Sequence, residues 1–417
     1  MIVHKFGGGA IKDAEGVKNM YDILRKRKEE KVVVMSAFGK TTNELESVTE
    51  AIYNKQREHF LNLLEKVKTY HFDIIDNLFP LYKRNYEECE KIFEKIDKIA
   101  GVENNNYDFL YDQVVCLGEI LSTKIVSSYL EYKGMNVRWI DIRSHLKTDN
   151  VFREANVDRE ISDNSIKENF RAASEEVLLT QGFIGGTDEG YSTTLGREGS
   201  DYTAALLANI LNADKTIVWK DVPGVLNADP RYFDNPEKID EISYREAIEL
   251  AYYGAKIIHP KTIKPLENKS IPLYVKSFLN PDEKGTCISK FSAYTPGIPV
   301  FIKKENQMLL SIVPKDMSFV FEERLSKIYK FFALYRIKVN LIQNSAVNFT
   351  VSVDEHNPRI YQLIDGLRTE FKVLYNKGLE LITIRHYNKE SLDELIEGRK
   401  VLVEQKSRHT VQLLLEV

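Results

Sequence analysis

Short apolar runs that end at glycines recur through residues 1–292. Ile2–Phe6 has the pattern of a buried strand and is followed by the glycines at 7–9, Asp13–Glu29 has helical spacing, and Lys31–Ser36 contains three consecutive valines. This order of strand, glycine loop, helix and strand predicts a βαβ unit with a parallel sheet.

Four more strands are predicted further along this segment. They are Asn136–Ile140, Val177–Ile184, Thr216–Trp219 and Pro272–Lys276. Residues 43–132 show mostly helical spacing and are predicted to form a largely helical insertion on one side of the sheet. We therefore expect residues 1–292 to form an α/β domain, with an open, mainly parallel sheet and helices on both faces.

The pattern changes after Ser292, where two prolines and a glycine in AYTPGIPVF predict a linker or an entry strand. The predicted order is then strand, helix, strand, strand and helix, at Met308–Val313, Phe321–Tyr335, Lys338–Ile342, Asn348–Val353 and Arg359–Glu370. This βαββα order is typical of a ferredoxin-like α+β module, which we place at residues 300–378. Residues 379–417 are predicted to form a second, abbreviated copy.

Composition and charge exclude some classes of function. The 417 residues are 43% hydrophobic and 29% charged, as in ordinary globular proteins, and the net charge of -4 gives no general reason to bind nucleic acid or an anionic membrane. No apolar run approaches the ~20 residues that cross a bilayer, and the N-terminus lacks the apolar core of a signal peptide. A cytoplasmic location is therefore expected. The three cysteines have no metal-ligand spacing, so reduced thiols are expected.

The densest group of polar, chemically useful side chains lies in residues 182–205, GFIGGTDEGYSTTLGREGSDYTAA. A buried strand leads into a glycine-rich loop, and Tyr202–Leu211 is predicted to be a helix. Ser200 and Asp201 then lie at the start of that helix, where unpaired N–H groups and the helix dipole attract anions. Arg197 adds a planar guanidinium that suits a carboxylate or a phosphate. The alternative is a simple turn in which Ser200 or Asp201 only caps the helix.

Other candidate residues lie at the ends of the first two strands and in a later helix. Lys5, followed by Gly7-Gly8, would place a cation and an approachable backbone where open α/β sheets bind ligands, although the glycines could merely form a tight turn. Ser36 ends the second strand, and Thr42 could cap the next helix. Glu119 interrupts an apolar helical pattern, so it would be partly buried and would need a cationic partner, either a structural Arg or Lys or a substrate ammonium.

Two later loops could bind a nucleotide. The stretch DVPGVLNADPR, residues 221–231, follows a strand that ends at Lys220. It is either a surface hairpin or a nucleotide cradle, with Arg231 over phosphate and Asp221 over ribose or metal. The other loop ends a helix and presents Lys256.

All of these positions together resemble aspartate kinase, within the amino-acid kinase family. The matching motifs are KFGG at Lys5–Gly8, SAxGxTT at Ser36–Thr42, GE at Gly118–Glu119, TTLGRxGSDYTAA at Thr193–Ala205, DVPGVxxADPR at Asp221–Arg231 and YGAKIIHP at Tyr253–Pro260. They span nearly the whole α/β segment in the family's order, and the C-terminal region resembles the family's tandem ACT domains. The resemblance implies phosphorylation of the β-carboxylate of L-aspartate by ATP with Mg²⁺, in the branch of biosynthesis that leads to lysine, threonine and methionine.

The resemblance also implies a role for each candidate residue. Arg197 would hold the α-carboxylate of aspartate and Glu119 its amino group. The other substrate-binding residues would be Ser36, Thr42, Thr194 and Ser200. Lys5 would stabilise charge at the transferring phosphoryl group, and Asp201 would orient Lys5 or the metal. ATP would contact Gly7, Gly8, Lys220, Asp221, Arg231 and Lys256. An aspartate carboxylate with a pKa near ~4 is already ionised, so no general base is needed.

The chain departs from the family pattern at several positions. Gly9-Ala10 stands where Thr-Ser is usual, Glu198 where Gly or Asn is common, and Leu226 where some members have a Tyr near the base. In lysine-sensitive relatives the loop after the second ACT strand offers acids to the effector, whereas this chain has Asn340 and Ala346. We therefore expect weak or absent inhibition by lysine.

Two other functions stay open from the sequence. One is a kinase of another carboxylate or phosphate acceptor, such as glutamate or UMP, and Glu119 with the TTLGR stretch argues against it. The other is a non-catalytic amino-acid sensor, which the retention of Lys5, Arg197 and Asp201 disfavours. Because ACT-like modules seldom leave their sheet edges and apolar face bare, we expect a homodimer formed through them.

Overall fold

The computed structural model describes residues 1–27, 29–79, 84–102, 105–171, 176–255, 258–290, 298–316 and 319–417. Contacts divide the chain into two compact units. The α/β unit comprises Met1–Val225, Lys238–Ile248 and Ile257–Tyr294. The antiparallel unit comprises Leu226–Glu237, Glu249–Lys256 and Thr295–Val417.

The first part of the chain alternates short strands with helices. Strands β1 to β7 are Ile2–Phe6, Lys31–Met35, Val137–Ile140, Val177–Gln181, Ile184–Gly186, Ser192–Thr194 and Lys215–Lys220. Strands β8 to β12 are Val225–Leu226, Lys238–Ile239, Glu241–Ser243, Leu273–Ser277 and Thr286–Ser289. Helices α1 to α5 are Ala14–Arg25, Thr41–Tyr53, Arg57–Leu78, Arg84–Ala100 and Tyr107–Tyr132. Helices α6 to α9 are Arg159–Asn169, Gly199–Leu211, Tyr244–Tyr253 and Pro260–Asn268, and a 3-10 helix spans Ile142–Ser144.

Eight of these strands form one sheet in the order β10-β12-β11-β7-β1-β2-β4-β3. Of its neighbouring pairs only β11 with β12 is antiparallel, which confirms the predicted mainly parallel α/β sheet. Strand β1 lies between β2 and β7, and Phe6 is level with both Met35 and Trp219. The residues that follow these strands therefore meet at one edge of the sheet, where α/β proteins of this type bind ligands.

Two buried helices bring side chains to this edge. Helix α5 is apolar around most of its circumference, and eighteen of its residues, from Leu110 to Leu130, are buried. Gly118 lets α2 approach α5, because an added Cβ would lie 3.1 Å from Leu45 and 3.3 Å from the Cβ of Ala37. Helix α7 is also buried along most of its length and packs on β1, β2 and β7.

The prediction of one strand over Val177–Ile184 is wrong in its second half. The strand of the main sheet ends at Gln181, and Ile184 begins β5, which pairs with β6 in an antiparallel ribbon. Phe183 has a left-handed backbone with φ 71°, which a continuous strand cannot contain. The apolar run is long enough for one strand, but its hydrophobicity comes from two buried elements separated by a bend.

The antiparallel unit contains a single six-stranded sheet. Strands β13 to β18 are Val300–Pro314, Val339–Asn344, Phe349–Asp354, Phe371–Arg385, Val401–Lys406 and Thr410–Glu416. Helices α10 to α12 are Glu322–Leu334, Ile360–Arg368 and Lys389–Ile396. The strand order is β14-β15-β13-β16-β18-β17, and every pair is antiparallel.

Strands β13 and β16 run through both halves of this sheet. Residues 309–314 pair with 371–376 in one half, and residues 300–304 pair with 381–385 in the other. In the first half α10 and α11 cover a core that includes Leu310, Phe332 and Leu363, and in the second half α12 contributes Leu392 to a core with Leu413. The sequence predicted only Met308–Val313 of β13, because polar residues 303–307 interrupt the apolar pattern at a bulge where Asn306 has φ 52°.

Among the helices formed by the described residues, none is both long and apolar enough to cross a bilayer.

Candidate active site

A buried ion pair marks the centre of the sheet edge. Lys5 is the fourth residue of β1, and its Nζ lies 2.6 Å from Oδ1 of Asp201, the third residue of α7. The two side chains are only 11% and 4% exposed. Gly7 leaves the backbone close to the ammonium, because an added Cβ would lie 3.3 Å from Lys5 Nζ. The structure thus brings together Lys5, Asp201 and Gly7, as the sequence predicted.

The charges around Asp201 keep its carboxylate ionised. Burial alone would raise the pKa of Asp201, but the positive charges of Lys5 and Lys220 outweigh burial and hold that pKa below its usual range. Lys220 is the last residue of β7, which is the direct neighbour of β1. Among the described residues, Lys5 and Lys220 therefore both act on this carboxylate, and their positive charges suit an anionic phosphoryl group.

The N-cap of α7 is Glu198, directly before the helix, so the alternative in which Ser200 or Asp201 only caps this helix is wrong. Glu198 is the N-cap residue and has a left-handed backbone with φ 55° and ψ 27°, and its side chain makes no capping bond. Instead its carboxylate Oε2 accepts the N–H of His259 at 2.7 Å. A residue with a Cβ loses about 1–2 kcal/mol in this conformation, which explains why Gly or Asn is favoured at this position.

Two serines, one directly after β2 and one in the first turn of α7, lie against each other. The Ser36 hydroxyl donates to the Ser200 hydroxyl at 3.0 Å. Gly182, directly after β4, makes this approach possible, because an added Cβ would lie 2.6 Å from the Ser200 Cβ. Ser36 is held in turn by its own N–H to Phe6 and by the hydroxyl of Ser122, which donates to its carbonyl oxygen at 2.9 Å. Two hydroxyls thus line the edge beside the ion pair.

Glu119 is a buried carboxylate without a cationic partner among the described residues. It is 1% exposed, and the N–H of Ala37 approaches Oε1 at the long distance of 3.4 Å. No donor among the described residues reaches Oε2. Burial raises the pKa of Glu119 to about 8, against small opposing effects of nearby backbone N–H groups. Of the two partners predicted for Glu119, no structural Arg or Lys is present in the described part of the chain, and the ammonium of a substrate stays a prediction.

Thr194 is anchored by Asp112, a residue that the sequence reasoning missed. The Thr194 hydroxyl donates to Asp112 Oδ1 at 2.7 Å, and its N–H donates to Oδ2 at 2.9 Å. Burial raises the pKa of Asp112 to about 6, although hydrogen bonds from Arg153 and Thr194 lower it. The sequence could have indicated Asp112 through its position seven residues before Glu119, because two turns of helix place both carboxylates on one face.

Gly8, Thr42, Arg197 and Asp221 also belong to the α/β unit. Gly8 packs against backbone, with an added Cβ only 2.7 Å from the Ala37 carbonyl oxygen. Thr42 is half-buried as the second residue of α2, and the N-cap is Lys40 without a side-chain bond, so the predicted capping by Thr42 is wrong. Arg197 and Asp221 are exposed, and within the described ranges Arg197 makes no hydrogen bond or ion pair.

Two residues predicted to bind ATP are not placed at this edge by the structure. Arg231 belongs to the antiparallel unit, where its guanidinium pairs with Asp229 at 2.5 Å. Lys256 lies outside the described residues. Their roles stay predictions from the sequence.

Comparison with known proteins identifies the family. Residues 1–277 match the amino acid kinase family. The chain is 32% identical to lysine-sensitive aspartokinase 3 of Escherichia coli over 359 residues, which cover 85% of this chain and 78% of that protein. It is 31% identical over 376 residues to the chloroplastic aspartokinase 1 of Arabidopsis thaliana, covering 84% of this chain and 63% of that protein. It spans 47% of a bifunctional aspartokinase/homoserine dehydrogenase of Buchnera aphidicola, at 29% identity over 90% of this chain.

Solved structures agree with these relatives. Aspartokinase III of Escherichia coli in complex with aspartate and ADP matches with a TM-score of 0.85 and 28% identity, covering 100% of this chain and 96% of that chain. The same enzyme in complex with lysine and aspartate matches with a TM-score of 0.81, covering 99% of this chain and 95% of that chain. The chain belongs to the amino acid kinase family and, within it, to the aspartokinases.

Proposed function

We propose that this chain transfers the γ-phosphoryl group of ATP to the β-carboxylate of L-aspartate and so forms 4-phospho-L-aspartate. The observation that carries the proposal is the buried pair of Lys5 and Asp201 at the centre of the sheet edge. The related enzyme of Escherichia coli, solved with aspartate and ADP, supports both substrates.

Aspartate would be held through its charged groups. Glu119 offers an unsatisfied, buried oxygen, which an ammonium ion would satisfy. Arg197 is exposed and uncommitted among the described residues, so its guanidinium can form a two-point contact with the α-carboxylate. The hydroxyl-bearing residues of the pocket would be Ser36, Thr42, Thr194 and Ser200.

Phosphoryl transfer would then need positioning and charge neutralisation. An oxygen of the ionised β-carboxylate forms a bond to the γ-phosphorus while the bond from that phosphorus to the bridging oxygen of ADP breaks, so the electron pair leaves with ADP and no proton is moved. Lys5 stabilises the negative charge of the transferring group, and Asp201 keeps the Lys5 ammonium in place. Gly7 and Gly8 let the backbone approach the phosphates.

The nucleotide would bring Mg²⁺ with it. Among the described residues, no group of three or more His, Cys, Asp or Glu side chains is arranged to hold a metal. Most ligands of Mg²⁺ would therefore be phosphate oxygens and water, with Asp201 and Asp221 as the acidic residues predicted nearby. When bound, Mg²⁺ supplies charge neutralisation along the phosphates. Lys220, the cation predicted to bind ATP, would add a second positive charge near the phosphates, and its charge lowers the pKa of Asp201.

The proposal is tested by incubating the purified protein with ATP, Mg²⁺, aspartate and hydroxylamine. We expect aspartyl hydroxamate from the wild type, little product when glutamate replaces aspartate, and a loss of about 10²–10³-fold in kcat for Lys5→Met. Lys18→Met is the matched control, because Lys18 lies on α1 and pairs only with exposed Glu15. A wild-type protein that binds aspartate but forms no hydroxamate would instead be a non-catalytic sensor.

The assembly and location of the protein are also proposals. We expect a cytoplasmic homodimer that associates through ACT-like modules at residues 300–378 and 379–417, next to a catalytic domain at residues 1–292. The six-stranded sheet ends at β14 and β17, and these edges are the strands that a second copy could extend or cover. Size-exclusion chromatography with light scattering measures the assembly directly.

A further inference from the structure

Two neighbouring side chains of α5 bind the edge strand β6 along its length. Asp112 accepts the N–H and the hydroxyl of Thr194. Gln113 accepts the N–H of Ser192 at 3.1 Å and donates to the carbonyl oxygen of the same residue at 2.8 Å. The two side chains therefore replace the hydrogen bonds of a neighbouring strand, so β6 is fixed to α5.

Asp112 also fixes a second segment that touches the loop of Arg197. Its Oδ2 accepts the N–H of Arg153 at 3.0 Å, and the N–H of Ala155 donates to the carbonyl oxygen of Thr194 at 3.0 Å. An added Cβ on Gly196 would lie 3.3 Å from the Arg153 carbonyl oxygen, so this segment lies directly against the turn before Arg197. Asp112 is thus the shared acceptor of two backbones that meet beside that loop.

We propose that Asp112 is a positioning residue, which fixes the loop that carries Arg197 relative to Glu119. This inference rests on the proposed binding of aspartate between Arg197 and Glu119. Asp112 and Glu119 are seven residues apart on one continuous helix, which corresponds to about 10 Å along its axis. Helix α5 therefore determines the distance between the residue that receives the ammonium and the strand that leads to the arginine.

The two backbones need a shared acceptor at this position. The N–H groups of Arg153 and Thr194 both donate to Oδ2 of Asp112, and the Thr194 hydroxyl donates to Oδ1. An asparagine could keep its oxygen at the Oδ2 position and donate its NH₂ group to the Thr194 hydroxyl, whereas an alanine supplies no acceptor. In the alanine variant two buried N–H groups would lose their partner, and the strand and the segment at Arg153 would separate. The ammonium and the α-carboxylate of an amino acid are attached to one carbon. A shift of about 1 Å at Arg197 is therefore enough to weaken the binding of both groups.

The test compares kinetic constants for the two substrates. In Asp112→Ala we expect the KM for aspartate to rise at least about tenfold, while the KM for ATP stays within about twofold of the wild type. A smaller rise in the KM for aspartate is expected for Asp112→Asn, because it keeps the shared acceptor. Asn209→Ala is the structural control, since it deletes a buried hydrogen bond from Asn209 to the Pro265 carbonyl oxygen on α9. It should lower the melting temperature and leave both KM values unchanged. If Asp112→Ala is not recovered folded, Asp112→Ser is measured, because its small polar side chain leaves room for water.

The outcomes separate this inference from the proposed function. A folded Asp112→Ala or Asp112→Ser variant with both KM values unchanged, or with both raised equally, would overturn the positioning role while hydroxamate formation by the wild type upholds the kinase. If the wild type forms no hydroxamate, calorimetric titration with aspartate alone replaces the KM measurement. A loss of aspartate affinity in the variant then supports the inference, and an unchanged affinity rejects it.

Discussion

Glu119 and Asp112 lie on the same face of α5, but their carboxyl groups have different partners. Asp112 accepts three hydrogen bonds, and its pKa rises only to about 6 on burial. Glu119 receives one long contact from Ala37, and its pKa rises to about 8. At pH 7 Asp112 is therefore mostly ionised, whereas Glu119 mostly carries a proton. Because folded Glu119 keeps a proton that the unfolded chain has lost, it destabilises the ligand-free protein as pH rises from about 4.5 to 8.

This difference predicts that aspartate binding releases a proton. An ammonium ion binds the ionised form of Glu119, so at pH 7 binding should release about one proton per site, and affinity for aspartate should rise with pH up to about 8. Calorimetric titration in two buffers of different ionisation enthalpy measures the released proton. Glu119→Gln cannot ionise, so it should bind aspartate weakly and release none. Equal heats in both buffers for the wild type would rule out this role of Glu119.

Arg197 should affect only one of the two substrates. In Arg197→Ala we expect the KM for aspartate to rise far more than the KM for ATP, by about tenfold or more, because a two-point charged contact contributes about 1.5–3 kcal/mol. Arg159→Ala is the control, since this arginine forms its contacts with Asp163 and Asn209. A parallel rise of both KM values in Arg197→Ala would place the arginine at the phosphates instead.

For single residues, the sequence predicted which residue types belong to the site better than it predicted their contacts. Lys5, Asp201 and Glu119 stood out because a charge next to glycines or inside an apolar helix needs an explanation. The hydrogen bond that Thr194 donates to Asp112 joins positions 82 residues apart, so no local sequence pattern indicates it. The backbone of Glu198 is also set by its neighbours, because His259 holds the side chain of a residue that would otherwise avoid φ 55°.

The glycine at position 182 allows the residue after β4 to lie against the start of α7. Gly182 lies between the end of β4 and the bend at Phe183, and Ser200 occupies the space that a Cβ would need. Sequence periodicity predicted both elements, but it joined β5 to β4, because an apolar run does not reveal which sheet each residue enters. The parallel order of the main sheet was predictable, since helices alternate with its strands.

Gly182→Ala should therefore destabilise the α/β unit and disturb the site together. The new Cβ would lie 2.6 Å from the Ser200 Cβ and 2.7 Å from its Cα, so α7 must shift. We expect a loss of about 1–3 kcal/mol in the free energy of unfolding, measured by denaturant titration, and a lower kcat. Gly9→Ala is the matched control, because nothing lies within 4 Å of its added Cβ. Equal stability of the two variants would contradict the close approach.

For the molecule as a whole, the sequence predicts that lysine is a poor inhibitor, and Asn340 is one of the two residues on which this prediction rests. Its amide nitrogen donates to Gln307 at 2.9 Å and to Asp354 at 2.8 Å, and its oxygen accepts the ammonium of Lys304 at 2.8 Å. Residue 340 itself thus supplies no carboxylate, the neighbouring carboxylate of Asp354 accepts its amide N–H, and the Lys304 ammonium already donates to its oxygen. An effector ammonium would compete with these contacts.

We expect steady-state activity to change by less than about twofold in the presence of millimolar lysine. The measurement uses saturating ATP and aspartate near its KM, where a competitive or allosteric effect is largest. Lys304→Met is the informative variant, because it removes the ammonium that donates to the oxygen of Asn340. Collapse of wild-type activity at millimolar lysine would show that this position does not decide the response.

The continuity of β13 and β16 limits how this half of the protein can be rearranged. Each strand contributes to both cores of the six-stranded sheet, so the second half includes residues 300–304 as well as the end of the chain. A cut near residue 378 would divide β16 and leave those five residues without their partners. Recombination or a shortened gene could therefore not add or remove the second half without dividing strands that also belong to the first half. Exchange of regulatory modules between relatives has to move the whole sheet at once.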